Sequence, residues 1–293
     1  MTTAASPIRR GWRALRVILE MIKFEHTVFA LPFALIGAVL AADGWPEARV
    51  VLWIVLAMVG ARSSAMAFNR LVDIDYDRGN PRTAMRALPA GMLRAPQVWA
   101  FVLAMTALFF VAAAQLNTLA LVLSPVALAA IWGYSYAKRF TQLAHLLLGL
   151  AIGIAPSGAW IAVTGSLAWA PVLLSAAVMC WVGGFDVIYA CQDIDFDRAR
   201  GLHSVPARLG VADALHISAA LHVATVALLL AAAALQPVGG WYHAGVALTA
   251  LLLAYEHSLI SPGDLSNVNA AFFTVNGMIS VGLAVCVVLD VAR

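Results

Sequence analysis

Two short acidic segments contain the residues of this chain that are best suited to chemistry. One reads DIDYDR over residues 73–78 and the other DIDFDR over residues 193–198, so nearly the same hexapeptide occurs twice, 120 residues apart. Together they hold six of the 15 acidic residues, and a seventh, Asp186, lies one helical turn before Tyr189. Such a concentration of carboxylates indicates that these two segments, the Asp-rich segments, serve one site.

The spacing of these residues predicts which of them act together. If the chain is helical here, residues four apart share a face, whereas Asp75 and Asp195 fall elsewhere. The two aligned sets are Asn69, Asp73 and Asp77, and Tyr189, Asp193 and Asp197. Like charges four apart repel unless a cation compensates them, and Mg²⁺ prefers hard oxygen ligands and phosphate oxygens. The sets are therefore candidate ligands for Mg²⁺ around a diphosphate, although exposed helix ends would also explain a single acidic cluster.

Basic and polar side chains near the acidic segments are candidate ligands for phosphate oxygens, which arginine binds in a bidentate manner. They are Arg82 and Arg86 after the first segment, Lys138 and Arg139 in a separate connection, and His203 after the second segment. The alternative for each basic residue is that it only marks the cytoplasmic side of a membrane protein.

The elements that must position these residues are apolar helices. Of the 293 residues, 63% are hydrophobic and 11% are charged, whereas a soluble domain is about 45–50% apolar and about 25% charged. A membrane-spanning helix needs about 20 apolar residues, and such stretches recur along the chain. We therefore expect an all-α polytopic membrane protein with about nine transmembrane helices in a bundle around a central cavity. The predicted spans cover residues 26–42, 49–71, 97–114, 117–137, 142–163, 169–191, 212–234, 241–258 and 268–290.

The basic residues predict the orientation of this bundle. Fifteen of the 18 Lys and Arg residues fall in the N-terminal segment or in the connections after the second, fourth and sixth predicted spans. The positive-inside rule places these segments in the cytoplasm. We therefore expect an integral protein of the cytoplasmic (inner) membrane, with its N-terminus and both Asp-rich segments at the cytoplasmic face.

The first acidic segment resembles a motif of the UbiA superfamily of intramembrane aromatic prenyltransferases. That family's first motif is NDxxDxxxD, which Asn69, Asp73 and Asp77 match, and a family-like NPRTxxRxLPxG follows over residues 80–91. Arg70 stands where Asp is commoner in the family, which removes one possible metal ligand.

The second acidic segment resembles the family's DxxYxxxDxxxD motif. The matching residues are Asp186, Tyr189, Asp193 and Asp197. Arg62 and the YxxxKR-like segment 134–139 also fall where the family would have them, while His203 stands where many members have Lys. Residues 22–33 and 201–204 are most similar to the 4-hydroxybenzoate polyprenyltransferase-like branch, which includes the MqnP enzymes of menaquinone synthesis.

The resemblance implies Mg²⁺-dependent transfer of a polyprenyl group from polyprenyl diphosphate to a ring carbon of an aromatic acid, in ubiquinone or menaquinone biosynthesis. The acceptor would be 4-hydroxybenzoate or a dihydroxynaphthoate. The implied catalytic carboxylates are Asp73, Asp77, Asp193 and Asp197, which with Asn69 are also the implied metal ligands. The implied substrate-binding residues are Arg62, Asn69, Arg82, Arg86, Lys138, Arg139, Asp186, Tyr189 and His203.

Arg62 is the main candidate for binding the acceptor, since a charge inside a span usually faces a cavity or a partner. Its alternatives are snorkelling and pairing with Asp186 or another carboxylate. His145, in the fifth predicted span, is expected to be a packing residue.

We expect a single transmembrane domain over residues 1–293, with an interfacial segment at 1–25 and active-site connections at 72–96 and 192–211. Membrane lipid is an expected partner, whereas neither a nucleic acid nor an obligate protein partner is expected. Two other functions remain open: a prenyltransferase of the same superfamily with a different acceptor, and a membrane transporter, since transporters also carry half-molecule repeats.

Overall fold

The elements of the fold are helices. A computed structural model describes residues 16–22 and 30–292. Residues 16–21 are helical, and the later helices follow in a regular order along the chain. They are α1 (Leu31–Ala42), α2 (Ala48–Val72), α3 (Ile74–Gly79), α4 (Ala95–Leu116), α5 (Thr118–Ala137), α6 (Ala144–Thr164), α7 (Trp169–Ala190), α8 (Ile194–Ala199), α9 (Val205–Leu209), α10 (Val211–Ala233), α11 (Gly240–Ser258) and α12 (Val268–Val291).

Seven helices in the described part of the chain are long and apolar enough to cross a membrane, namely α2, α4, α5, α6, α7, α10 and α12. They coincide with seven of the predicted spans, and the all-α membrane architecture is confirmed. The other two predicted spans correspond to α1, with 12 residues, and α11, with 19 residues. The predicted start of the first span, at residues 26–29, lies outside the described residues.

Glycines allow close contact between the helices that lead into the two Asp-rich segments. A Cβ at Gly153 in α6 would lie 2.6 Å from the carbonyl oxygen of Ser175 in α7. A Cβ at Gly60 in α2 would lie 2.8 Å from the carbonyl oxygen of Met105 in α4. Because lipid tails are as apolar as the helices, membrane helices associate through such close van der Waals packing of small residues.

The centre of the bundle is built around Trp181 of α7, whose side chain is buried. Its ring centroid lies 5.0 Å from that of Phe33 in α1 and 5.1 Å from that of Phe185. Its indole Nε1 donates a hydrogen bond of 2.6 Å to Oδ1 of Asn276 in α12. These contacts hold α7 in the middle of the bundle. The second Asp-rich segment follows the C-terminal end of α7.

The described part of the N-terminal segment packs near the first Asp-rich segment. Ile18, Met21 and Ile22 are buried in one apolar cluster with Phe68 of α2 and Leu88 of the following connection. Residues 1–15 and 23–25 of the expected interfacial segment lie outside the described residues. The short helix at 16–21 thus supports the end of α2 from which the first acidic residues emerge.

Candidate active site

Both Asp-rich segments face one polar cavity of about 310 Å³. Its lining includes the following residues proposed from the sequence: Asn69, Asp73, Asp77, Arg82, Arg86, Lys138, Arg139, Asp186, Tyr189, Asp193 and Asp197. Arg62 and His203 are the two proposed residues that lie elsewhere. The repeat therefore brings together in space two segments that are far apart in the chain.

The first Asp-rich segment keeps its residues on one face across a break between helices. α2 ends at Val72 and α3 begins at Ile74, yet the amide of Asp73 bonds to the carbonyl of Asn69 (2.9 Å) and that of Asp77 to Asp73 (2.7 Å). Asn69 Nδ2 also donates to Asp73 Oδ2 at 2.9 Å. The expected alignment of these side chains is observed because the i to i−4 register continues through the break.

The second Asp-rich segment passes from one helix to the next through a 3₁₀ turn. Cys191–Asp193 form this turn, and α8 follows. Asp197 is 3% exposed and Asp193 is partly buried, whereas Asp195 is exposed. The two outward residues thus lie outside the cavity in both repeats, since Asp75 is also exposed.

Arg82 joins the two segments. Its Nε donates to Asp193 Oδ1 at 3.0 Å, its Nη2 pairs with Asp193 Oδ2, and its Nη1 donates to the Tyr189 hydroxyl at 3.0 Å. Asn80 Nδ2 donates to the same Asp193 Oδ1 at 3.2 Å. Burial alone would lower the pKa of Arg82, but its hydrogen bonds and charge interaction with Asp193 raise that pKa above its usual value.

Two further arginines bind carboxylates of the first segment. Arg86 Nη1 donates to Asp77 Oδ1 at 2.6 Å. Arg139 Nη2 donates to Asp73 Oδ1 at 3.3 Å and to the carbonyl of Val72 at 2.7 Å. The structure therefore brings the predicted phosphate ligands directly onto the predicted metal ligands.

A bound cation would stabilise the ionised carboxylates of the cavity, which are wholly or partly buried. Asp77 Oδ2 and Asp197 Oδ2 are buried without a hydrogen-bond partner. Burial raises the pKa of the Asp73 carboxyl, and the charge of Asp77 raises it further. Within the described residues no three Asp, Glu, His or Cys side chains are close enough to hold a metal as they stand. The hard oxygen donors fit Mg²⁺, provided that the arginines exchange their carboxylate partners for phosphate.

Arg62 lines a second cavity of about 500 Å³, which is mainly apolar and lies between α2, α5 and α6. Met66, Tyr134 and Leu148 line both this cavity and the polar one. The two cavities are therefore adjacent along these three residues, which we call their junction, and Arg62 lines the apolar cavity.

His203 lies outside the lining of the polar cavity, and its side chain is exposed. Its backbone amide donates to the carbonyl of Lys138 at 2.7 Å. The described arrangement thus gives His203 a contact that holds two connections together, and it does not bring the imidazole to the predicted phosphate ligands.

Several residues of the polar cavity were not among the site residues proposed from the sequence. They are Arg70, Tyr76, Asn80, Thr83, Phe272 and Phe273. Asn80 and Thr83 belong to the NPRT segment, which was the available signal for them. Phe272 and Phe273 lie far along the chain, in a π-helical turn of α12 over Ala271–Val275, so no local pattern links them to the acidic repeats.

The contact between His145 and Asp186 was also not predicted from the sequence. It is 1% exposed, and its Nδ1 lies 2.6 Å from Oδ2 of Asp186. A histidine of α6 is thus an observed partner of Asp186.

Comparison with known proteins agrees with this architecture. Residues 30–278 match the UbiA prenyltransferase family. The chain is 32% identical over 237 residues to a 4-hydroxybenzoate octaprenyltransferase of Edwardsiella ictaluri, covering 81% of this chain and 82% of that protein. It is 29% identical over 271 residues to the enzyme of the same name from Yersinia pseudotuberculosis, covering 92% and 94%.

Solved structures share the fold. A UbiA homolog from Aeropyrum pernix K1, in an apo structure, superposes with a TM-score of 0.83 at 39% identity, covering 91% of this chain and 98% of that one. A UbiA homolog from Archaeoglobus fulgidus, bound to GPP and Mg²⁺, superposes with a TM-score of 0.73 at 19% identity, covering 93% and 99%. With its paired Asp-rich segments at one cavity of a helical membrane bundle, this chain belongs to the UbiA prenyltransferase family.

Proposed function

We propose that the chain transfers a polyprenyl group from polyprenyl diphosphate to a ring carbon of an aromatic acid and releases diphosphate. The observation that carries this proposal is the junction of the polar and apolar cavities at Met66, Tyr134 and Leu148. A polyprenyl diphosphate has a strongly anionic head and an apolar tail. The head matches the cavity with arginines and carboxylates, and the tail matches the cavity of about 500 Å³.

The proposed metal is Mg²⁺, held by Asn69, Asp73, Asp77, Asp193 and Asp197. When bound, it neutralises the diphosphate and stabilises the charge that develops there as the allylic C–O bond breaks. Arg82 and Arg86 leave their carboxylates and bind phosphate oxygens, as guanidinium groups do in bidentate pairs. Lys138 and Arg139 line the same cavity and complete the cationic wall.

The proposed acceptor is 4-hydroxybenzoate or a dihydroxynaphthoate. The names of the relatives, 4-hydroxybenzoate octaprenyltransferase, support an aromatic acid and a role in quinone biosynthesis. Arg62 lies on the apolar side of the cavity junction, where its charge can bind the acceptor carboxylate while the ring faces the allylic carbon. The apolar lining of this cavity supports exclusion of water, which would let the ring trap the allylic cation before water does.

We also propose how the protein sits in the cell. The chain is integral to the cytoplasmic (inner) membrane, with its N-terminus and the connections 72–96 and 192–211 in the cytoplasm. Residues 1–293 form one transmembrane domain that works in lipid, and its substrates are lipid and small molecules, with neither a nucleic acid nor an obligate protein partner.

The test is turnover by membranes that contain the protein, with products identified by mass. A panel of 4-hydroxybenzoate, 1,4-dihydroxy-6-naphthoate and 1,4-dihydroxy-2-naphthoate is offered with one polyprenyl diphosphate. Asp73→Ala and Asp193→Ala should abolish both prenylation and diphosphate release, while Asp75→Ala and Asp195→Ala, at exposed positions, should not. Full activity in the first pair would contradict the metal assignment.

Two outcomes would favour the alternatives. Prenylation of another acceptor class, with none of the three aromatic acids used, would assign the chain to a different branch of the family. Substrate counterflow in proteoliposomes without any requirement for a diphosphate would favour a transporter.

A further inference from the structure

We propose that Asp186, positioned by His145, accepts the proton that the aromatic ring loses when it is prenylated. This inference rests on the proposed function, because it assigns a further catalytic group to that same reaction. It follows from where Asp186 lies, which partner it has, and which partners the other carboxylates have.

Asp186 lines the polar cavity from α7, seven residues before Asp193 of the second Asp-rich segment. It is in α7, one helical turn before Tyr189, and its side chain lines the cavity and is 15% exposed. His145 stands on α6 one turn before Leu148, which lines both cavities. The carboxylate is therefore near the junction at which the allylic carbon and the acceptor ring must meet.

The contacts of His145 determine which of its nitrogens carries the proton. The backbone amide of Val205 donates to His145 Nε2 at 3.3 Å. Since Nε2 accepts this bond, the neutral imidazole carries its hydrogen on Nδ1 and donates it to Asp186 Oδ2 at 2.6 Å. Val205, at the start of α9, thus fixes the tautomer that holds the Asp186 carboxylate as an acceptor.

The other carboxylates of the cavity have different partners. Asp73, Asp77 and Asp193 pair with Arg139, Arg86 and Arg82. These three carboxylates are among the proposed metal ligands, and each of them pairs with an arginine. Asp186 instead receives a hydrogen bond from the imidazole of His145, whose side chain is 2% exposed.

The step balances without another reactant. The prenyl C–O bond breaks and its electron pair leaves with the diphosphate, while a pair from the ring forms the new C–C bond. The C–H bond at the substituted ring carbon then breaks, its electron pair restores aromaticity, and the proton passes to the Asp186 carboxylate. His145 touches neither substrate in this scheme and is a positioning residue.

The experiment compares variants of the full-length protein in detergent with one polyprenyl diphosphate and 4-hydroxybenzoate. Asp186→Asn should lower kcat for prenylation by at least about 100-fold, the scale of general base catalysis, while Mg²⁺-dependent binding of the polyprenyl diphosphate is retained. His145→Leu should lower kcat with a smaller change in KM, and His145→Asn, which keeps a donor near Nδ1, should restore part of it. His216→Leu, at an exposed position of α10, is the control.

A deuterium isotope effect separates proton transfer from a structural role. With 4-hydroxybenzoate deuterated at both ring carbons next to the hydroxyl, His145→Leu should show a larger isotope effect on kcat than the wild type. An isotope effect that is the same in His145→Leu as in the wild type would overturn the inference. Loss of polyprenyl diphosphate binding in parallel with kcat would also overturn it. The proposed function would stand in both cases, because the wild type still turns over. Absence of prenylation of all three aromatic acids of the panel by the wild type would overturn both.

Discussion

Arg82 binds both carboxylate oxygens of Asp193, which lies 111 residues later in the chain and follows a different transmembrane helix. The pair links the connection after α2 to the turn after α7, so it closes the polar cavity across the two repeats. A diphosphate offers an arginine the same bidentate geometry as a carboxylate. We therefore expect Arg82 to exchange Asp193 for the diphosphate when the substrate enters.

We expect Arg82→Ala to weaken the use of polyprenyl diphosphate. Charge-assisted hydrogen bonds contribute about 1.5–3 kcal/mol, so kcat/KM for the diphosphate substrate should fall about 10- to 100-fold. Steady-state kinetics with each substrate varied in turn will show whether the loss is confined to the diphosphate. The control is Arg78→Ala, because the Arg78 side chain is 62% exposed and pairs with exposed Asp75. An equal loss in both variants would contradict a specific role for Arg82.

Asp77→Asn should raise the Mg²⁺ concentration needed for half-maximal activity by at least about 10-fold. The reason is that Asp77 is 6% exposed and its Oδ2 has no partner in the described structure, so it is well placed to bind a cation. A magnesium titration of initial rates measures this shift. Asp75→Asn should leave the titration unchanged, and a Mg²⁺ dependence that Asp77→Asn does not alter would remove Asp77 from the ligand set.

Narrowing the apolar cavity should select against long prenyl tails. Ala155 of α6 lines this cavity, and Ala155→Phe should lower kcat/KM for a long polyprenyl diphosphate more than for geranyl diphosphate. Competition between the two donors, with products separated by mass, gives the ratio directly. Ala227→Phe in α10 is the matched control because Ala227 is exposed on the outside of the bundle. An unchanged ratio in Ala155→Phe would place the tail elsewhere.

A methyl group at Gly153 should destabilise the bundle, whereas one at Gly158 in the same helix should not. The Cβ of Gly153→Ala would meet the Ser175 carbonyl oxygen at 2.6 Å, while no atom lies within 4 Å of a Cβ at Gly158. Overpacking of this kind costs about 1–3 kcal/mol, so Tm in detergent should fall for Gly153→Ala. Gly158→Ala should match or exceed the wild type, because Ala is the better helix former by about 0.5–1 kcal/mol.

The repeated DIDYDR and DIDFDR segments made most of the site predictable. Helical spacing alone separated Asp73 and Asp77, which line the cavity, from exposed Asp75. This worked because the i to i−4 register continues through Asp73, although one helix ends and another begins there. The positions of the long apolar helices were predictable for a similar reason, since a span needs a run of apolar residues that is visible locally.

Pairings between distant residues were not predictable in this way. His145 was expected to be a packing residue, and it is indeed buried, but its bond to Asp186 depends on how α6 lies against α7. His203 was a candidate phosphate ligand, yet the turn that bonds its amide to Lys138 leaves its imidazole exposed. Neither outcome is encoded in the spacing of residues along one helix.

Composition and local periodicity by themselves determined that this chain is a helical membrane protein with two matched carboxylate faces, because hydropathy and helical register are properties of contiguous residues. Only the tertiary structure decided that Arg82 binds Asp193, that a polar cavity and an apolar one share Tyr134 in their walls, and that Asp186 is held by a histidine. These relationships depend on the packing of helices in three dimensions, where close contact at glycines such as Gly153 sets which side chains meet.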